Sequence, residues 1–376
     1  MERDVLPMND IADREWSVLK RVAVGEPALG DDVEVSELDP DRLTGMALRH
    51  NMASMLAENL LDNGRIEALP HKLGRRLSEA LWVNQLKARS FLEESGRLVE
   101  RLSAAGVQFA FTKGVVCQET LYGGTGAREY NDIDLMIESD RAGAVDEVMV
   151  AMGYENKRRL HKVSSQWTER SLKERVAYRV YPDHLPHYYR ENGLAVPRYF
   201  CVDFAFTLTW YSSPWSIPTA TVLSARRPVL VRAPGLEREL PALSSVHDFL
   251  FLVLHLFRES WFATTALAAD VRLGQFADVW RGWRALSSEE RSEFAKCLAE
   301  NDLQVPVAWV AHHVDATLGS DMLDGLDLRE FAVEEWTTSG RDTKSFFTWH
   351  GDMDRRLREL SLSVESCESV PFVEAE

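Results

Sequence analysis

Six residues in the middle of the chain are of types, and at spacings, that could do chemistry together. The run Phe109-Ala-Phe-Thr-Lys-Gly114 is followed by Asn131-Asp-Ile-Asp-Leu-Met-Ile137, with Asp132 eighteen residues after the glycine. In the second run Ile133, Leu135 and Ile137 alternate with Asp132, Asp134 and Met136, the period of a β-strand with both carboxylates on one face. Their Cα atoms lie about 6.6 Å apart along such a strand, so the two carboxylates can converge on shared ions. Unpaired carboxylates against a packed sheet are costly, and a bound cation or a solvent-filled cleft is expected there. Asp203 is the one non-apolar residue of Tyr199-Phe-Cys-Val-Asp-Phe-Ala-Phe206, a stretch that reads as a buried strand. Lys113-Gly114 falls at a strand-to-helix turn, where a backbone N–H and a lysine charge suit phosphate. Arg128, in the loop feeding the Asp-x-Asp strand, can reach phosphates or orient Asp132. Each residue also has a plain reading: Asp203 as a satisfied buried acid, Lys113 as a solvent-facing lysine, Arg128 as a partner of Glu129 or Glu119.

Elements on both sides must hold these residues in place. Helical spacing marks Ile11 to Val24, Asp41 to Leu61 and Lys72 to Ala105, with Asp39-Pro40 as a capped start and Gly106 as a left-handed stop. Val107 to Phe111 reads as a strand and Val115 to Tyr122 as a short helix, broken by Gly123-Gly-Thr-Gly126. A further helix, capped near Ser139-Asp140, ends at Gly153-Tyr154. Alternating Val176, Tyr178 and Val180 predict a strand, while Pro182, Pro186 and Pro197 mark loops. Pro228 to Arg232 and Arg238 to Leu240 predict a small β unit around Pro234-Gly235. From Ser244 helices dominate: His247 to Glu259, Ala266 to Trp283, one capped at Ser287/Ser288, Val305 to Leu318, and Arg341 to Leu360. The expected regions are 1–105 helical, 106–243 a core that carries these six residues, 244–362 helical, and an acidic tail, 363–376, without fixed structure.

Composition sets outer limits. With 376 residues, 45% hydrophobic and 27% charged, the chain is globular and long enough for two domains or one elaborated domain. Cys117, Cys201, Cys297 and Cys367 show no C-x-x-C spacing, which speaks against a zinc ribbon or a disulfide framework and for a reducing compartment. No apolar run approaches the roughly 18 residues a membrane span needs, and Met1-Glu-Arg-Asp lacks a signal peptide's basic start, so a cytoplasmic location and no membrane partner are expected. A net charge of −16 opposes broad nucleic-acid binding. Between Asn156 and Tyr181, however, eight Lys/Arg face only Glu169 and Glu174. This basic segment is either a solvated hairpin face or a contact for triphosphate or an anionic acceptor.

Lys113-Gly114, Tyr122, Arg128, Asp132-Ile-Asp134-Leu-Met-Ile and the following helix with Gly153-Tyr154 together resemble the uncharacterised nucleotidyltransferase family of the DNA polymerase β-like superfamily. His247, Leu250, His255, Leu273 and Asp278 are similar to its later helical region, so the resemblance covers about Gly106 to Val279. It implies an α+β fold, a polymerase β-like nucleotidyltransferase core of a small mixed sheet with helices, flanked by N-terminal and C-terminal helical regions. It also implies a site in which Asp132, Asp134 and Asp203 are catalytic and bind Mg²⁺ (or Mn²⁺), while Lys113, Gly114 and Arg128 contact the NTP substrate. Two departures stand out. Many superfamily members carry Gly-Ser where this chain has Lys-Gly, and the family often has a histidine two residues after the third carboxylate, where this chain has Ala205.

Nucleotidyl transfer explains the residue types. A hydroxyl attacks the α-phosphorus of an NTP, pyrophosphate leaves, and charge grows on both oxygens, so two cations about 4 Å apart are useful. The acceptor is left open among a small molecule, a protein and an RNA end. Two other classes compete: a non-catalytic nucleotide- or partner-binding protein on the same fold, and an Asp-x-Asp sugar-nucleotide glycosyltransferase. The second would need a long Rossmann-like domain before the motif, where this chain reads as helix. Converging carboxylates without a cation are expected to repel and to lower the stability of the metal-free protein.

Overall fold

Capping sets the first helices. The computed structural model describes residues 8–30, 33–161, 166–180, 183–210, 213–263, 271–342, 345–359 and 363–373. Helix α1 spans Met8–Ala23. Asp39 then accepts hydrogen bonds from the backbone of Asp41 and Arg42, both 3.0 Å, and Pro40 takes the first position of α2 (Pro40–Arg49), as its sequence predicts. The single helix expected from Asp41 to Leu61 is two, because Asn51 adopts a φ of 57° and α3 (Ala53–Asp62) starts afresh. Helix α4 (His71–Ala104) is followed by Gly106, whose φ of 67° makes the expected left-handed stop.

The chain forms two compact units, Met1–Trp82 with Leu252–Glu376, and Val83–Phe251. In the second the elements follow in the order β1 (Phe109–Thr112), α5 (Gly114–Thr120), β2 (Ile133–Ile137), α6 (Ala142–Ala151), β3 (Arg158–His161), β4 (Gln166–Glu169), α7 (Leu172–Val180), β5 (Tyr188–Glu191), β6 (Tyr199–Ala205), α8 (Thr219–Ser224), β7 (Arg227–Ala233) and β8 (Leu236–Ala242). The first turns of α9 (Ser245–Trp261) complete it. Six strands make one mixed sheet in the order β5-β6-β2-β1-β8-β7. The β2/β6 and β1/β8 pairs are parallel and the rest antiparallel. The β unit expected around Gly235 is the β7/β8 hairpin, and it joins this sheet instead of standing apart.

Period-2 alternation gives the sheet its core. Ile133, Leu135 and Ile137 pack with Phe111, Val202 and Phe204, and with Phe91, Leu92, Leu98 and Leu102 from α4. Full burial of each such side chain contributes roughly 1.5–3 kcal/mol. Asp134 belongs to the opposite face of β2, which leaves the carboxylate face free of this cluster.

The basic segment is a β3/β4 hairpin followed by a helix, and Lys162 lies outside the described residues. Helix α7 corrects the strand expected at Val176, Tyr178 and Val180. Ser171 and Glu174 form a capping box, with Ser171 N donating to Glu174 Oε2 at 2.8 Å and Glu174 N donating to Ser171 Oγ at 3.2 Å. That S-x-x-E signal outweighs a three-residue alternation. Lys157, Arg158 and Lys173 are exposed, whereas Arg170 is buried and donates to the Asn156 carbonyl at 3.0 Å.

In the other unit, helices Leu273–Ala285, Ser288–Glu300 and Gln304–Leu318 surround buried Trp261, Trp283, Trp309 and Trp336. The helix expected from Ala266 is described only from Leu273, residues 264–270 lying outside the described set. Ser287 caps the second of these helices with Glu290, as read from the sequence. The helix expected from Arg341 to Leu360 is instead two strands, Ser339–Arg341 and Phe346–Trp349, then a short helix Met353–Glu359. Phe346, Phe347 and Trp349 favour a pleated, half-buried surface, and Gly340 leaves room for the Phe347 ring. Val364–Cys367, within the stretch read as a tail, pairs with Phe346–Trp349. No described helix is long and apolar enough to cross a membrane.

Candidate active site

Strand register assembles the site. Asp134 on β2 is the direct partner of Asp203 on β6 and of Thr112 on β1. Neighbouring strands lie about 4.8 Å apart, so the two carboxylates stand side by side on one face. Asp132 shares that face, immediately before β2 and half-buried. The three carboxylates read from the sequence therefore come together on two adjacent strands, β2 and β6.

Lys113 enters this group from the β1–α5 turn. Its Nζ lies 2.7 Å from Asp134 Oδ1, with the two side chains only 14% and 9% exposed, and 5.0 Å from the centre of the Phe251 ring. Burial disfavours its charge, but Asp134, then Asp203 and Asp132, outweigh burial and hold its pKa above the ordinary lysine value. Burial pushes Asp134 the other way, above the usual carboxylate range, against the pull of Lys113. An ammonium thus neutralises part of the carboxylate group, which corrects the expectation of uncompensated repulsion.

That placement rests on an unusual backbone. Lys113 has a φ of 48°, a region non-glycine residues visit at a cost of order 1–3 kcal/mol. Asp248, in the first turn of α9, holds the turn: Thr112 Oγ1 donates to its Oδ1 at 2.6 Å and Lys113 N at 3.3 Å. Burial pushes the Asp248 carboxyl up to about 6. Gly114 begins α5 and is buried; a Cβ there would stand 3.0 Å from Tyr130 Cδ2 and 3.2 Å from the Asp132 carbonyl. Arg128 Nη1 donates to the Gly114 carbonyl at 3.4 Å, which places it against the same turn.

Two histidines that the sequence reading passed over flank Asp203. His187 immediately precedes β5, and its Nε2 lies 3.5 Å from Asp203 Oδ2. His184 Nδ1 lies 3.5 Å from Asp203 Oδ1 and donates to the Leu185 carbonyl at 2.9 Å. Burial opposes a charge on His187, yet Asp203 outweighs it and pushes the pKa up to about 11. Burial likewise opposes a charge on Asp203, and His187, then His184 and Lys113, overcome it and hold the carboxyl far below its usual range. His184 forms a β-bridge with Ala205, two residues after Asp203. The signal for this pair was His184-Leu-Pro-His187 directly ahead of an aromatic strand; the prolines around it read as loop.

The whole group lies within a stretch matched by a known family. A family described as an uncharacterised nucleotidyltransferase matches residues 36–319, more than half of the chain, including Lys113, Gly114, Arg128 and all three aspartates. A search of curated proteins finds no match. The sheet, the clustered carboxylates and this match agree, and the chain belongs to the uncharacterised nucleotidyltransferase family.

Proposed function

We propose that this protein is a divalent-cation-dependent nucleotidyltransferase with a polymerase β-like core, moving a nucleoside monophosphate from an NTP to an acceptor hydroxyl with release of pyrophosphate. The observation that carries this reading is the Asp134/Asp203 register, with Asp132 on the same face. The donor set suits Mg²⁺ or Mn²⁺: all three groups are carboxylates, and Asp203 Oδ1 is buried with no hydrogen-bond partner. When bound to Asp132, Asp134 and Asp203, such cations would offset the charge that develops on the attacking and leaving oxygens.

The chain's own residues supply the rest. Asp203 Oδ1 is available to accept the acceptor's hydroxyl hydrogen, while His187 beside Oδ2 keeps the carboxylate ionised. Gly114 N–H and Arg128 border the turn where triphosphate oxygens would lie. Lys113, released from Asp134, would carry its charge towards those oxygens.

One observation favours a second reading, a non-catalytic nucleotide-binding protein: Lys113 stands where an ion on Asp134 would be drawn. Pyrophosphate release and product mass with each NTP, Mg²⁺ or Mn²⁺ and candidate acceptors distinguish the two. A product heavier by one nucleoside monophosphate supports transfer. Binding of an NTP without product under every condition moves the assignment to the second reading.

A further inference from the structure

We infer that His184, His187 and Asp203 form a binding site for a divalent transition-metal ion of the zinc type, distinct in its ligand chemistry from an all-carboxylate site. A ring nitrogen of each histidine and a carboxylate oxygen of Asp203 lie within 4.8 Å of one another. Among the described residues these are the one group of three such side chains brought this close, and Asp132 and Asp134 are not part of it.

The geometry suits a small ion. Ligands at about 2.0–2.2 Å around a tetrahedral centre stand about 3.3–3.6 Å from one another. His187 Nε2 already lies 3.5 Å from Asp203 Oδ2. The two rings face the same space, with centres 5.5 Å apart and planes inclined at 37°.

Surrounding groups fix the rings. The Leu185 carbonyl can only accept, so His184 Nδ1 donates in their 2.9 Å bond, which leaves Nε2 as the nitrogen that would ligate an ion. A metal-bound histidine commonly uses its other nitrogen in this way, donating to a carbonyl that sets tautomer and orientation. Tyr178 packs edge-on against His184 at 5.2 Å. Asp203 Oδ1 has no hydrogen-bond partner.

Donor chemistry selects the ion. Once the ion displaces the proton that His187 shares with Asp203, two imidazoles and one carboxylate suit Zn²⁺, Co²⁺ and related ions, whereas Mg²⁺ prefers oxygen ligands with near-octahedral geometry. Three protein ligands also leave a position open for water or an incoming group. The site shares Asp203 with the nucleotidyl-transfer reading but does not depend on it.

The test is a Co²⁺ titration of the EDTA-treated, tag-free full chain, followed by visible absorption, with Zn²⁺ and Mg²⁺ as competitors. One equivalent of Co²⁺ is expected to give ligand-field bands that Zn²⁺ abolishes and a hundredfold excess of Mg²⁺ does not. His184→Ala and His187→Ala are each expected to weaken Co²⁺ binding by at least about tenfold. Asp132→Asn is expected to leave the bands in place. Circular dichroism accompanies each variant; if one histidine variant does not fold, the other and His187→Gln provide the reading. Unchanged Co²⁺ binding in the folded histidine variants, loss of the bands in Asp132→Asn, or their displacement by Mg²⁺ would overturn the assignment. Failure to transfer nucleotide would not, because the bands are read without any NTP.

Discussion

Lys113 Nζ lies 2.7 Å from Asp134 Oδ1, so the chain supplies its own cation to the centre of a carboxylate group. An ion binding Asp134 must displace or share that contact. Lys113→Met keeps the side-chain length and removes the charge, which leaves three neighbouring carboxylates with less compensation. Removing one partner of a buried pair costs up to about 3–5 kcal/mol, and protonation of Asp134 lowers that figure. The metal-free variant is expected to melt below wild type, and Mn²⁺ is expected to raise its melting temperature more, because the ion no longer competes with an ammonium. Thermal melts with and without Mn²⁺ measure both effects. Equal Mn²⁺ shifts in the two proteins would show that Lys113 and the ion do not compete.

The face taken by Asp132 and Asp134 was legible in the sequence because a period-2 pattern specifies it even when the partner strand is unknown, and Asp203 stood out as the one acid in an otherwise apolar strand. The role of Lys113 was not legible. Its motif points to phosphate, and only the positive φ that Asp248 supports turns the side chain towards Asp134. His184 and His187 were hidden for a related reason: what makes them neighbours of Asp203 is the β5/β6 pairing, a contact between segments that local pattern cannot reveal. At α7 the signal was present as Ser171-x-x-Glu174, whose reciprocal caps outweigh a three-residue alternation.

Gly114 is required by space as well as by any contact with phosphate. An added Cβ would press on Tyr130 and on the Asp132 backbone. Gly114→Ala is therefore expected to cost about 1–3 kcal/mol and to reduce nucleotide transfer by shifting the Asp132 loop. Gly143→Ala in α6 is a matched control, since nothing lies within 4 Å of its Cβ position, and a helical glycine-to-alanine change there stabilises by about 0.5–1 kcal/mol. The two melting temperatures should move in opposite directions. If both rise, the turn at Gly114 adapts freely.

His50, in the other unit, predicts an acid-sensitive contact. Its Nδ1 accepts from Leu273 N at 3.1 Å, and burial, then Arg49 and Arg272, push its pKa from 6.5 down to about 4. The unfolded chain takes up this proton near the ordinary value and the folded chain resists it. The associated stability is thus complete above about pH 6.5 and is lost as pH falls towards 4, to a total of about 3 kcal/mol. His50→Asn keeps an acceptor near Nδ1 but cannot titrate. Denaturant melts at pH 7, 5.5 and 4 are expected to show wild type losing stability relative to the variant as pH falls. A difference that stays constant across the three would mean that this histidine does not titrate with folding.

Asp203→Asn separates the local pairing of Asp203 from its role in transfer. The sequence alone predicts that removing one of three carboxylates relieves repulsion and raises the stability of the metal-free protein. The structure reverses that expectation, because His187 and His184 flank this carboxylate and its removal leaves the His187 charge without its partner. The signs set the pH window. Asp203 is depressed, so its contribution is present above about pH 4 and is lost in acid; His187 is raised to about 11, so its contribution is complete below about 6.5 and is lost as pH rises through 11. The pair therefore contributes most between about pH 4 and 6.5. Since Asp203 and His187 are 21% and 33% exposed, the cost of Asp203→Asn there is roughly 1–3 kcal/mol, below that of a fully buried pair. Nucleotide transfer is expected to fall by about 10²-fold or more, the range for removing a group that accepts the acceptor's proton. Thermal melts at pH 5.5 and 9.5 beside single-turnover transfer assays measure both. A variant that melts at or above wild type at pH 5.5 would restore carboxylate repulsion as the dominant effect, and full transfer activity in the variant would remove Asp203 from the chemistry.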